Sequence, residues 1–187
     1  MKKTFIDEDT KLNYEIEIKN FNSAKNEYIV KHLKELLPDW LTYPQTIIFL
    51  FFQCKYPLNG SNLPQEQLEK DRLLLKFNQL GKEFYYQSKK QGILSEIICP
   101  KSGFPQYSTQ GTQIFSIPHL LDRNLSSFQV KSGQCGIIHP LWGQAVYPCI
   151  MFSMGNITET NQILSKIVSI MSLNALFFHF FHRNQVY

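Results

Sequence analysis

The chain has 187 residues, 43% of them hydrophobic and 15 of them Phe, which is enough for one domain with a sizeable core. Its formal charge of +4 is mild, and Lys and Arg never gather in blocks longer than two, which excludes nucleic acid as a leading partner. Charge is also unevenly placed: positions 91 to 187 hold only Lys101, Arg123, Lys131, Lys166 and Arg183 against Glu96, Asp122 and Glu159, so this half either supplies much of the core or is covered by another surface, a homodimer partner included.

The opening MKKTFIDEDT is basic and then acidic, with no apolar stretch behind it. It reads neither as a secretory signal nor as a mitochondrial presequence. The longest apolar run, IIFLFF from 47 to 52, falls far short of the ~20 residues that span a bilayer. A soluble, cytoplasmic protein without a membrane segment is expected. The four cysteines, at 54, 99, 135 and 149, form no CxxC pair, so the spacing of a structural zinc site is absent. Disulfides are not expected in a reducing cytoplasm. Cys54 and Cys149 belong to apolar runs and read as small core residues, whereas Cys135 lies in a glycine-flanked stretch, SGQCG, that suggests exposure.

In chain order, KLNYEIEIKNF alternates strictly, with Leu12, Tyr14, Ile16 and Ile18 on one side, and predicts a half-buried strand with the charged residues outward. SAKNEYIVKHLKELL predicts a short helix starting after Ser23 and stopped by Pro38. QTIIFLFFQC is apolar on both sides and predicts a buried strand, followed by a Pro/Gly/Asn loop. From about Pro64 to Gln91, Leu73, Phe77, Leu80 and Phe84 mark one face of a long amphipathic helix; Glu66, Lys70, Lys82, Lys89 and Lys90 read as its solvated face, and Gly92 as its stop.

ILSEII predicts a strand ended by the turn CPKSGFPQY. Residues 108 to 134 are mixed, with extended pieces near 114–117 and 127–130. AVYPCIMFSM is a strand in which Pro148 forbids one ladder bond, so an edge or a bulge is expected. Thr158 reads as the cap of a last helix, with Ile163, Ile167, Ile170 and Met171 on one face, and the Phe-rich tail fits no class. There are too few helices for alternating βαβ units, so the fold expected is α+β with a mainly antiparallel sheet.

The residues alone suggest little chemistry. Cys135 and His139 are four apart, ~13 Å along an extended path, too far for a nucleophile and its base unless the chain folds back. The histidines form no ligand set, and no Gly-rich phosphate loop is present. An exposed Cys135 is nonetheless a plausible soft ligand, since a soft metal centre brought against a thiol deprotonates it.

Three stretches carry a resemblance: LPDWLTYPQTIIFLFFQC, EKDRLLLKFNQLGKEFYYQSKKQGILSEIICPKSGFPQY and SGQCGIIHPLWG. Their order and spacing resemble the methylmalonic aciduria and homocystinuria type D (CblD) family of cobalamin-trafficking proteins, from about Leu37 to Lys166. His139-Pro-Leu-Trp142-Gly is similar to the family's His-Ser-Leu-Trp-Gly. Where the family has Gly-Cys-Cys, this chain reads Gly133-Gln134-Cys135-Gly136, and a gap is needed to bring Cys135 onto either family cysteine.

The resemblance implies a flavin-reductase-like or nitroreductase-like α+β fold that has lost flavin and binds free cobalamin poorly. It implies an adapter without turnover chemistry. Such an adapter complexes a CblC-type processing protein and offers a cysteine thiolate, here Cys135, to the cobalt of the cobalamin its partner holds. His139 and Trp142 complete the implied site. The cofactor then passes toward methionine synthase or methylmalonyl-CoA mutase. The expected organisation is one domain over 1–187, with a strand-helix appendage at 1–36 and a Phe-rich extension at 173–187. The family's long N-terminal region is not found, so no mitochondrial route is expected. The alternative weighed against this is a flavin-dependent reductase, which the absence of an apparent basic cluster for a flavin phosphate disfavours.

Overall fold

The computed structural model describes residues 1–7, 11–60, 63–131 and 136–183, with 131 and 171–183 as backbone only. The elements run β1 (Lys2–Asp7), β2 (Leu12–Asn20), α1 (Glu27–Lys31), α2 (Leu33–Leu36), β3 (Thr46–Gln53), α3 (Pro64–Lys90), β4 (Ser95–Ile98), α4 (Ile117–Asn124), β5 (Gln129–Lys131), β6 (Gly136–Ile138), β7 (Val146–Ser153) and α5 (Ile157–Arg183). Five strands form one sheet in the order β1-β2-β3-β7-β4, antiparallel at every pairing, and β5 and β6 pair separately. The α+β class with an antiparallel sheet is as expected.

β3 is buried on both sides because it is the central strand and each face of the sheet is covered. Ile48, Leu50 and Phe52 share a core with Leu73, Phe77, Leu80 and Phe84 of α3 and with Ile163 and Ile167 of α5. Ile47, Phe49 and Phe51 share a second core with Leu36, Trp40, Leu121 and Phe128 from the opposite layer. With β7 antiparallel to both β3 and β4, those two strands run the same way, so α3 must cross one face of the sheet to connect them. Among the described residues no helix is long and apolar enough to cross a membrane.

Several local expectations need correction. Lys2–Asp7 is a strand, made so by pairing along β2 and not by its own pattern. The first predicted helix is two short pieces broken at His32, and it starts at Glu27, with the Asn22 side chain accepting from Lys25 N–H ahead of it. Ile117–Asn124 forms a helix between the two extended pieces expected near 114–117 and 127–130, overlapping the first only at Ile117; the Ser116 side chain accepts the His119 N–H at 3.4 Å and Pro118 occupies the first turn. The last helix is capped by Asn156, not Thr158: Asn156 and Glu159 exchange side chain-to-backbone bonds of 2.8 and 3.0 Å, a capping box. Its backbone continues to Arg183 through much of the tail that fitted no class.

The supposed solvated face of α3 is also partly inside. Glu66 takes Lys70 at 2.7 Å and the Gly60 N–H at 3.2 Å. Glu69 takes Arg72 through two nitrogens and the Lys55 N–H, all at 2.8 Å. Both carboxylates are buried because they tie the loop after β3 onto the helix.

Candidate functional site

The stretch singled out by sequence, 136–143, folds into β6 and a closed turn. His139 and Gly143 exchange backbone hydrogen bonds of 2.8 and 2.9 Å. Gly143 closes the turn at φ +57, a conformation that a side chain resists. The His139 ring sits inside this loop, and its Nδ1 accepts the N–H groups of Leu141 and Trp142, each at 3.2 Å. Trp142 stacks on the imidazole at 4.1 Å and 14°, Phe128 meets it edge-on at 5.1 Å, and Phe51 lies at 5.8 Å.

Two backbone donors on Nδ1 put the ring proton on Nε2. Nε2 lies 3.4 Å from Glu15 Oε2, which in turn lies 2.6 Å from Lys2 Nζ. Glu15 and His139 are each 1% exposed. Neither Glu15 oxygen nor His139 Nε2 has a well-aligned hydrogen-bond partner; Glu15 pairs its charge with Lys2, and the imidazole edge lies against Oε2. Burial holds the His139 imidazole below its usual range, against the opposing pull of Glu15. The ring is therefore neutral near pH 7, with Nδ1 holding the turn and Nε2 set against Glu15 of β2, a lock between the two.

Of the three residues expected at the site, His139 and Trp142 stack on each other, and Cys135 lies outside the described residues. Leu141, between them, is 74% exposed. Glu15 and Lys2 were not anticipated: strand alternation put Glu15 on an outward face, but that face is covered by the layer holding Phe128 and Trp142. Among the described residues no group of three His, Cys, Asp or Glu side chains could hold a metal ion. Cys54 and Cys149 are buried as expected, and burial pushes both thiols up, Cys54 to about 12. Cys99 is half-buried; burial raises its thiol, but hydrogen bonds from Ser102 and Lys101 and the Lys101 charge bring it below the ordinary range.

The turn after β4 is organised by one carboxylate. Glu96, fully buried, accepts the N–H groups of Ile97 (2.8 Å), Gln106 (3.0 Å), Tyr107 (3.0 Å) and Ser108 (2.7 Å). Tyr107 then stacks on Tyr85 of α3 at 3.9 Å. This turn walls one side of a largely apolar cleft of about 460 Å³, whose other walls include Leu58, Ile117, Ile137 and Val146. A second, polar cleft of about 260 Å³ gathers Lys11, Lys55 and Arg72. These cations lie far apart in the chain, so the sequence shows no cluster.

No family model matches the chain, and no curated protein matches it.

Proposed function

We propose that this chain is a cobalamin-trafficking adapter of the CblD kind that its sequence resembles, with a flavin-reductase-like or nitroreductase-like fold and no turnover chemistry of its own. The observation that carries the reading is the lock around His139. Cys135 immediately precedes β6, whose far end runs into the turn that His139, Trp142 and Glu15 hold. In this reading His139 and Trp142 position the site, and Cys135 Sγ is the ligand. A free thiol is only a few per cent ionised at neutral pH, and a soft metal completes its deprotonation.

The partner in this reading is a CblC-type processing protein in the cytoplasm, and the recipient a B12-dependent enzyme such as methionine synthase. The test is to mix the purified chain with a CblC-type protein and cob(II)alamin and to record visible and EPR spectra. Wild type is expected to change the cobalt signals, and Cys135→Ser to lose the change. Identical signals for the two proteins sink the ligand assignment.

The second reading, a flavin-dependent reductase, draws support from the cleft that gathers Lys11, Lys55 and Arg72, a setting for a flavin phosphate. A yellow protein absorbing near roughly 450 nm supports it, since that band belongs to the cofactor itself. A colourless preparation that stays colourless with added flavin mononucleotide rejects it.

A further inference from the structure

The hydrogen-bond register of β7 exposes an unfinished edge. Cys54 N–H donates to Ala145 C=O at 2.9 Å, so the odd-numbered residues of β7 exchange bonds with β3, and Val146, Pro148, Ile150 and Phe152 turn theirs the other way. Ile150 and Phe152 meet β4 there. β4 ends at Ile98 and the chain turns away at Cys99–Pro100, so on the side opposite β3 the described residues give β7 no neighbour strand from Val146 to Cys149. Pro148 has no N–H to offer, but its C=O remains, as do the N–H and C=O of Val146. None of the three has a hydrogen-bond partner among the described residues. Val146 is 2% exposed, and an unpaired amide at a buried position is costly and rare.

The 460 Å³ cleft lies along this edge. Leu58, Ile117 and Ile137 make it apolar, and its lining charges are Lys70 and Lys101, both cationic. Lys70 pairs with Glu66 and Lys101 with Asp71, and each ammonium retains further N–H donors. The edge is short: beyond Val146 the chain bends into the 139–143 turn, closed by the Ala145 N–H to Trp142 C=O bond at 3.0 Å. A strand passing straight through has nothing to pair with past that point.

We propose that this cleft binds the C-terminal end of a partner polypeptide whose last side chain is apolar. A segment continuing the course of β4, antiparallel to β7, uses all three open backbone groups. Its last residue donates its N–H to Val146 C=O and accepts the Val146 N–H on its carboxylate. The residue two before it donates to Pro148 C=O. This is strand addition combined with carboxylate capture. The lysines supply the countercharge, and Leu58, Ile117 and Ile137 receive the apolar side chain. The site is independent of Cys135 and of any role in cobalamin transfer.

The experiment titrates the full chain, observed by amide NMR at low salt, with an N-acetylated tripeptide ending in valine, with its C-terminal amide, and with octanoate. The acid is expected to give saturable shifts at Val146, Ile137 and Lys101, and the amide to bind roughly tenfold more weakly or less. Lys101→Met, at a half-exposed position, is expected to weaken the acid and leave the amide unchanged; Lys70→Met repeats the test from the α3 side. Octanoate, without N–H donors, is expected to bind more weakly than the peptide acid. The proposal is overturned if no saturable shift appears at the β7 edge, if acid and amide bind alike, or if both lysine variants bind the acid as wild type does. Octanoate binding as tightly as the peptide overturns the polypeptide in favour of a small amphipathic carboxylate.

Discussion

Glu96→Gln tests the balance of forces at the turn after β4. Glu96 Oε1 accepts three backbone N–H groups and Oε2 a fourth, at 2.7 Å from Ser108 N. A glutamine keeps its oxygen where three donors converge, and its NH2 then faces the Ser108 N–H, donor against donor. The three surviving bonds fall from charge-assisted to neutral, a loss of about 1 kcal/mol each. The fourth is lost and leaves a buried N–H unpaired, about 1–3 kcal/mol. Removing the buried charge returns part of this, because an ionised carboxylate is costly to desolvate. The expected net loss is about 2–3 kcal/mol, or a fall in melting temperature of very roughly 4–12 °C for a chain of this size. Urea denaturation of wild type and Glu96→Gln, with unchanged m-values, measures it. A loss below about 0.5 kcal/mol, the scale of an ordinary surface substitution, refutes the claim that the four amides are held by charge.

The His139 lock makes stability fall in acid. Its folded-state imidazole is held below the ordinary value of 6.5, so the stabilisation is full above that pH and is lost as pH falls from there toward the folded value. Urea midpoints at about pH 7 and about pH 5 are expected to fall more for wild type than for His139→Phe; equal slopes refute it. At Gly111 an added Cβ meets Glu35 O at 1.8 Å, so Gly111→Ala must displace the 108–116 segment from α2, whereas Gly92→Ala meets nothing and costs only its left-handed φ of +69. Thermal melts are expected to rank Gly111→Ala as the more damaging, with Gly92→Ala near 1–2 kcal/mol, on the order of the left-handed penalty. Asn156→Ala removes the side-chain half of the α5 capping box and is expected to cost about 1 kcal/mol by the same measurement.

What the sequence made legible follows from where the cause of each feature lies. β3 and α3 carry their own signals, an unbroken apolar run and a 4, 3, 4 spacing, and both elements form where those signals lie. Glu15 and Glu96 could not be read so, because alternation says which side a residue faces and not whether that side is later covered. β1 exists through its pairing with β2, a relation no local pattern contains. Helix α4 has a signal in the sequence, Ser116 followed by Pro118 within the first turn, that a reading of 108–134 as mixed passes over. Pro148 was read as an edge or bulge; β7 is an inner strand, yet Pro148 sits where β4 no longer covers it. The His-Pro-Leu-Trp-Gly motif marks the 139–143 turn in sequence but carries no trace of the carboxylate beneath it.

The two-sided burial of β3 bears on how the molecule opens. Phe49 and Phe51 face one layer, Leu50 and Phe52 the other, and no partial loosening of a single layer brings this strand to solvent. Its amide protons should exchange with deuterium only when the whole molecule comes apart, while those of β1, at the sheet margin, leave through local fraying. The slowest exchange rates along β3 thus give the global unfolding free energy directly, without denaturant.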